Sequence, residues 1–339
     1  MVEISQKQKI AILRVLRDAR EPIGSSIIAE EIKDYGFELS GRTIRLYLQE
    51  LENQGFVTSA KRGRDGGRTI TQLGYEEIRN ALVNERVGFM ASRIEALACQ
   101  VTFNPATREG HIVLNVTLLD QTHLAAAVRE MLPVFEAGLG MGHYAVLIEG
   151  GERLGGFYIP PGKVGIGTIC SVTVNGILLG ARVPVASRFG GVLEINQGKP
   201  FRFTDVIYYN GTTLDPLEIF IKGGLTRVSA AARQGQGRIG ASFREVPNVS
   251  LPVVERIQAE LEPTGMGRGI FLGKPHQPLL DFQVEEGKTG MIVTGGLNPV
   301  AAIEEAGIPT LSYALSTLYE FEKMTHYQEL FRMTARHTA

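Results

Sequence analysis

The sequence predicts a mixed α+β chain in two parts: a small helical head that ends in a hairpin, and a larger α/β region built twice over. Three observations carry that prediction. Apolar residues recur at helical spacing three times before Gly55. A basic, glycine-rich tip, Lys61-Arg62-Gly63-Arg64-Asp65-Gly66-Gly67, then separates two short β-type runs. Finally, Gly140-Met141-Gly142, Gly162-Lys163, Pro184 and Ser187 return 125 positions later as Gly265-Met266-Gly267, Gly287-Lys288, Pro309 and Ser312.

In the head, Ile10, Leu13 and Leu16 space a first helix over about residues 5–19, stopped by Pro22-Ile23-Gly24. Ile27, Ile28 and Ile32 mark a short second helix that ends near Tyr35-Gly36. The third begins at Ser40, a good N-cap, and runs through Ile44, Leu48 and Leu51 to Gln54-Gly55, where glycine suits the C-terminal cap. Phe56-Val57-Thr58 and Arg68-Thr69-Ile70-Thr71 form the arms of the hairpin. Three helices and a two-stranded wing make an N-terminal winged helix-turn-helix, assigned to residues 1–73.

The charge of this head is uneven. Residues 40–70 hold six Lys/Arg against three Asp/Glu, although the whole chain has a net charge of −1. Arg42 and Arg45 lie at the start of the third helix, where the helix dipole disfavours cations by a few tenths of a kcal/mol. An anionic partner removes that conflict. A recognition helix sets its N-terminal residues against base edges, so Arg42, Thr43, Arg45 and Tyr47 are the candidates for base and phosphate contact on double-stranded DNA. Lys61, Arg62, Arg64 and Arg68 of the wing are candidate phosphate anchors. A head that contacts a protein instead is the competing reading.

From Gly74 to about Thr102, Ile78, Leu82, Val87, Met90, Ile94 and Leu97 predict a long amphipathic connector, assigned to 74–105. Its seam needs a cover, supplied either by the chain's own wing and lobes or by a second copy in a homodimer or higher even-numbered oligomer. Twofold DNA half-sites favour the second copy.

The remainder is read as a two-lobed, internally duplicated α/β domain over 106–325, with lobes at about 106–210 and 222–325 and a tail at 326–339. Each repeat reads strand, helix, strand, strand, helix, strand. The first has His111–Leu118, Leu124–Glu136, Tyr144–Ile148, Val164–Ser171, Val174–Gly180 and Gly191–Ile195. The second has Arg238–Phe243, Pro252–Leu261, Ile270–Leu272, Gly290–Thr294, Asn298–Ala306 and Pro309–Ser312. Two similar lobes related by a pseudo-twofold axis leave a crevice suited to a small molecule. Residues kept in both copies serve the fold, whereas an asymmetric ligand needs a residue in only one. By that criterion Arg188 and Arg244 are candidates to clamp a carboxylate bidentately, with Cys170, Ser171 and Ser187 as short polar contacts. A surface or inter-lobe ion pair is the alternative for each arginine.

Other functions find little support. The six histidines are scattered, no P-loop is present, and Gly138-x-Gly140-x-Gly142 precedes a strand rather than a helix. No catalytic or metal-binding set and no cofactor site is expected, which argues against an enzyme carrying a DNA-binding head. Cys99 and Cys170 form no CxxC pair. No apolar run is long enough to cross a bilayer, and the first residues lack the pattern of a signal peptide, so a cytoplasmic location is expected.

Several segments together resemble a known family. Gly165-Ile166-Gly167-Thr168-Ile169-Cys170-Ser171-Val172-Thr173-Val174-Asn175-Gly176, Ser187-Arg188-Phe189-Gly190-Gly191 and Ser242-Phe243-Arg244-Glu245-Val246-Pro247, behind a winged helix, are similar to the NrpR-type nitrogen regulatory repressors. The resemblance covers about residues 5–325. It implies a repressor of nitrogen-assimilation genes that binds palindromic operators and is released by 2-oxoglutarate. Some family members carry two regulatory domains after the head, and others split head and regulatory domain between chains. One of each is read in this sequence, which leaves self-sufficiency and the effector open.

Overall fold

The structure, a computed structural model, describes residues 2–19, 22–59, 67–80, 89–155 and 157–336. The chain divides into two compact units, Met1–Arg86 and Val87–Ala339.

In the first unit, helices α1 (Val2–Asp18), α2 (Ser25–Glu31) and α3 (Gly41–Asn53) bury Ile10, Leu13, Ile28, Ile44 and Leu48 in one core. Ser40 caps α3, its Oγ accepting from the Thr43 amide at 3.1 Å. That bond satisfies one of the orphan donors at the helix start. Strands β1 (Val57–Ser59) and β2 (Arg68–Ile70) pair antiparallel with Val57 opposite Ile70, and Ile23 bridges to Arg68. The winged helix-turn-helix is therefore present, followed by α4 (Gln72–Asn80). The wing residues Lys61, Arg62 and Arg64 lie outside the described residues.

The next described segment of the connector is α5 (Phe89–Ala98), which belongs to the second unit. Its buried Met90, Ile94 and Ala98 pack on Val113, Cys170, Val172, Tyr209 and Leu315. Over these residues the apolar seam is covered by the chain's own duplicated domain, so this stretch is not available as a dimer seam.

The second unit contains β3 (His111–Asp120), α6 (Leu124–Glu136), β4 (Tyr144–Ile148), the small hairpin β5 (Arg153–Leu154) and β6 (Phe157–Tyr158), β7 (Lys163–Ile169), α7 (Val172–Gly180) and β8 (Ala186–Asn196). After β9 (Lys199–Tyr208), α8 (Pro216–Lys222) and α9 (Val228–Gln234), the pattern repeats. The second copy is β10 (Gly237–Pro247), α10 (Leu251–Leu261), β11 (Ile270–Leu272), β12 (Lys288–Thr294), α11 (Asn298–Glu305) and β13 (Leu311–Glu320). The chain ends with β14 (Thr325–His326) and α12 (Tyr327–Arg336). The stretch between the two patterned copies and the tail at 326–339 thus contain strands and helices of their own. In α12, Leu330 is buried in the same core as Val128 and Met131 of α6.

Two five-stranded sheets result, ordered β13-β3-β7-β4-β14 and β11-β12-β10-β8-β9. The closing strand of each repeat pairs with the opening strand of the other: β8 lies against β10, and β13 against β3. This corrects the expectation that Gly191–Ile195 and Pro309–Ser312 each complete their own lobe. Hydrophobic alternation announces a strand but not its neighbour, because either first strand offers an equivalent ladder.

Register also corrects one equivalence. Thr117 of β3 faces Ile166, and Arg244 of β10 faces Met291. Ile166 and Met291 are 125 apart, so the structural counterpart of Arg244 is Thr117, and the opening strands correspond with a step of 127. Arg244-Glu245 therefore does not stand where the first repeat has Leu119-Asp120. A helix shorter by two residues, α10 against α6, restores the step of 125 before Gly265.

Candidate functional sites: a reading helix and a buried polar junction

On α3, Ile44, Leu48 and Leu51 face the core, which turns Arg42, Arg45, Leu46 and Gln49 outward. Leu46 is 56% exposed beside the arginines, an apolar group of the kind that can meet a thymine methyl. The other expected contacts among the described residues, Thr43, Tyr47 and Arg68, are occupied within the head. Thr43 Oγ1 lies 2.9 Å from Ser40 Oγ in the cap. Tyr47 turns inward, its hydroxyl donating to Gln8 Oε1 at 2.8 Å and its ring lying under Lys9 Nζ. Arg68 donates to Glu52 Oε2 at 3.0 Å, and Ser59 Oγ donates to Glu52 Oε1 at 2.6 Å. Glu52 thus ties the wing to α3, and of the described candidates Arg42 and Arg45 form the solvent-facing cationic pair.

In the duplicated domain, the most deeply buried cation is Arg244, 1% exposed on β10. Its Nη1 donates to the Ser171 carbonyl at 2.9 Å and to Asn175 Oδ1, and its Nη2 donates to Ser171 Oγ at 2.7 Å. Asn175 Nδ2 in turn donates to Ser187 Oγ at 3.0 Å. Three expected residues, Ser171, Ser187 and Arg244, are therefore joined in one network that ties the second repeat's opening strand to α7 and β8 of the first. Burial lowers the Arg244 pKa to about 10, so the group stays cationic at neutral pH. Its Nε has no hydrogen-bond partner.

Arg188 does not join them. The β8 to β10 register passes from Phe189 opposite Phe243 to Ser187 opposite Arg244, leaving Arg188 in a bulge. Its Nη1 meets Glu285 at 2.6 Å and its Nε lies 3.8 Å from Glu245. Arg244 and Glu245 are consecutive on a strand and point to opposite faces, so Arg188 and Arg244 cannot clamp one carboxylate. The ion-pair alternative holds for Arg188.

Across the pseudo-axis the two β-to-α turns press together. At Gly296, the counterpart of Ser171, a Cβ would fall 1.9 Å from the Ile169 carbonyl oxygen and 2.8 Å from Asn115 Nδ2. Beside this contact a cavity of about 20 Å³ is lined by Asn115, Cys170, Tyr209, Asp215, Gly296 and Leu315 among others. That is room for about one water. Burial pushes the Cys170 thiol up to about 12, which keeps it protonated and inert at neutral pH.

Residues that the sequence reading did not single out also meet here. Arg93 of α5 reaches the Leu315 carbonyl, with its Nε at 3.0 Å. Asp215 caps α8, accepting from the Leu217 and Glu218 amides at 2.9 and 3.2 Å. Glu218 accepts from the Ala314 amide. Asn175 carried a readable signal, since it is the one amide in α7, a helix buried from Val172 to Leu178. Arg93, Asp215 and Glu218 carried none, because only the fold brings the connector and the joining segment together.

Burial raises Asp215 to about 6, and burial with the nearby Asp215 charge raises Glu218 to about 7. A carboxyl whose pKa rises on folding stabilises the folded state at acid pH, and this contribution is lost as pH climbs through the folded value. Stability is thus expected to fall between about pH 4 and 7.5 from these groups, by about 1–2 kcal/mol each after allowing for their partial contact with solvent. The double variant Asp215→Asn, Glu218→Gln should flatten that slope in urea-unfolding midpoints measured against pH. An unchanged slope counts against the assignment.

Among the described residues, no His, Cys, Asp and Glu groups are placed to hold a metal ion, and no helix is long and apolar enough to cross a membrane.

With this geometry in place, comparison with known proteins gives a consistent result. The family model for NrpR regulatory domains NRD1 and 2 matches residues 87–326, and that for the ribonuclease R winged-helix domain matches residues 10–78. The chain is 36% identical over 319 residues to the global nitrogen regulator NrpRI of Methanosarcina mazei, covering 94% of this chain and 97% of that protein. It is 29% identical over 328 residues to the global nitrogen regulator NrpR of Methanocaldococcus jannaschii, covering 96% of this chain and 55% of that longer relative. In three dimensions it matches the crystal structure of a nitrogen repressor-like protein from Methanococcus jannaschii, with a TM-score of 0.58 and 28% identity over 70% of this chain and 97% of that one.

Proposed function

The chain belongs to the NrpR family of nitrogen regulators, and from that premise we propose that it is a transcriptional repressor of nitrogen-assimilation genes, released from palindromic operator DNA by a small dicarboxylate such as 2-oxoglutarate. The observation that carries this reading is the match running through both the head and the duplicated domain to a nitrogen regulator of nearly the same length. The outward pair Arg42 and Arg45 supports DNA as the partner of the head, because cations at a helix start gain most from an anionic groove. A homodimer presents two such heads to twofold half-sites.

The effector is assigned to the polar junction between the repeats, around Ser171, Asn175, Ser187 and Arg244. Since the cavity beside it, which Ser171 also lines, holds about one water, a dicarboxylate enters only as the junction widens, and that widening is the conformational change it drives. Exchanged strands prevent the lobes from parting as independent bodies. The displacement passes instead through α5, which packs beside this junction and follows the head in the chain. A tenfold to hundredfold loss of operator affinity requires only about 1.4–2.8 kcal/mol of differential effector binding.

Calorimetry with 2-oxoglutarate, run beside operator binding with and without it, tests the proposal. Binding accompanied by a tenfold to hundredfold loss of operator affinity is expected. No binding, or binding that leaves operator affinity unchanged, rejects the effector mechanism, and purified protein that ignores operator DNA favours a protein-contacting adaptor.

A further inference from the structure

A second cationic feature lies at the far end of the β8-β9-β10 sheet. Arg202, Arg227 and Arg238 line an open groove of about 510 Å³ together with Glu194, Thr204 and Gln236. Arg227 and Arg238 form an antiparallel bridge, the Arg227 amide donating to the Arg238 carbonyl at 2.8 Å and the Arg238 amide donating back at 3.3 Å. Such a pair places both side chains on one face, and like charges directly opposite each other are destabilising.

Protein groups do not neutralise the pair. Glu194 stands opposite both Arg238 and Arg202, but its Oε2 accepts from Arg202 Nε at 2.7 Å. Asp205, the neighbour of Thr204 on β9, does not line the groove and accepts from Thr204 Oγ1 at 2.8 Å. Arg227 Nη1 donates only to backbone, to Gly224 and Thr226 carbonyls. Arg238 makes no side-chain hydrogen bond or ion pair with a described residue.

The duplication shows that the fold does not require these charges. Ahead of the first repeat's opening strand, Thr102 and His111 hold the place that Arg227 and Arg238 hold ahead of the second's, and they also pair: the Thr102 amide donates to the His111 carbonyl at 3.1 Å, and the His111 amide donates to Thr102 Oγ1 at 2.9 Å. The first copy builds the same corner with one hydroxyl and one imidazole. Arg202 lies on β9, and no strand in the other sheet corresponds to it. The arginines are thus confined to one copy, at a local electrostatic cost that packing does not explain.

We propose that this groove is a binding site for a small anion carrying phosphate or carboxylate groups, held by the guanidinium forks of Arg238 and Arg227 and separate from the buried junction. A planar fork matches either oxyanion in bidentate geometry. The full chain in phosphate-free buffer, titrated separately with inorganic phosphate and succinate and followed by calorimetry and amide chemical shifts, is the test. At least one probe should bind with shifts centred on Arg227 and Arg238, and the tighter probe names the source of the anion.

Arg238→Gln should weaken that binding at least tenfold, and Arg238→Glu should abolish it. Because Arg238 has no side-chain partner among the described residues and its charge opposes that of Arg227, neither variant should unfold at a lower midpoint than wild type. Binding of neither probe, or equal binding by wild type and Arg238→Gln, overturns the proposal. So does a short DNA duplex that displaces bound phosphate from the groove, since that outcome makes it a nucleic-acid surface. None of these results depends on whether 2-oxoglutarate acts at the junction.

Discussion

Replacing Arg244 with alanine is expected to destabilise the duplicated domain by about 3–5 kcal/mol, the loss expected when a large buried side chain leaves a cavity and its hydrogen-bond acceptors are left without a donor. The side chain is among the largest fully buried ones in the protein, so its removal opens a cavity as well. It also strands Asn175 Oδ1, the Ser171 carbonyl and Ser171 Oγ without their donor. Arg244→Lys keeps the charge but not the fork and should fall between the two. Urea unfolding followed by a probe in the duplicated domain reads the change as a lower midpoint. A loss below about 1 kcal/mol would mean that the network contributes little, as exposed ion pairs do. Because Arg244 joins β10 to α7, its loss should also blunt any response of operator binding to 2-oxoglutarate.

The second large effect is on DNA. The double variant Arg42→Ala, Arg45→Ala should lose about 1–3 kcal/mol of operator binding per side chain, which is about thirtyfold or more in affinity when combined. Each arginine that contacts phosphate also lowers the salt slope by about one unit, whereas one that reads a base relaxes sequence preference at one position. Gel-shift titrations over a range of salt separate the two roles. Tyr47→Phe is the internal comparison: its hydroxyl is bonded to Gln8, so operator affinity should stay within about twofold. Wild-type affinity in the double variant would remove DNA as the partner of this helix face. A Tyr47→Phe defect as large as the arginine loss would show that the tyrosine leaves its place on α1 when DNA binds.

On the proposed mechanism, an effector at the junction has to act on the head without unzipping a sheet. A hinge between two separate lobes would have been the simplest device, but β8 and β13 are each shared with the opposite repeat. Moving one lobe as a rigid body would break a ladder of about seven or more residue pairs in each sheet. Helix α5, with Arg93 on the Leu315 carbonyl and Met90 and Ile94 in the core beside Cys170, can shift without opening either sheet.

Local pattern determined much of this protein. Ser40 as a cap, the apolar spacing of the head, the limits of α6 at Leu124 and Glu136, and the common spacing of the two repeats all follow from interactions a few residues apart, or from copying of a segment. Residue chemistry also singled out Ser171, Ser187 and Arg244, which the structure joins in one hydrogen-bonded network through Asn175. The partner of each closing strand, the bulge that sends Arg188 to Glu245 and Glu285, the inward turn of Tyr47, and the meeting of Arg93, Asp215 and Glu218 belong to the tertiary structure alone. Periodicity states which face of an element is apolar but not which surface will cover it, and strand pairing and burial of charge are settled by contacts between residues far apart in the chain.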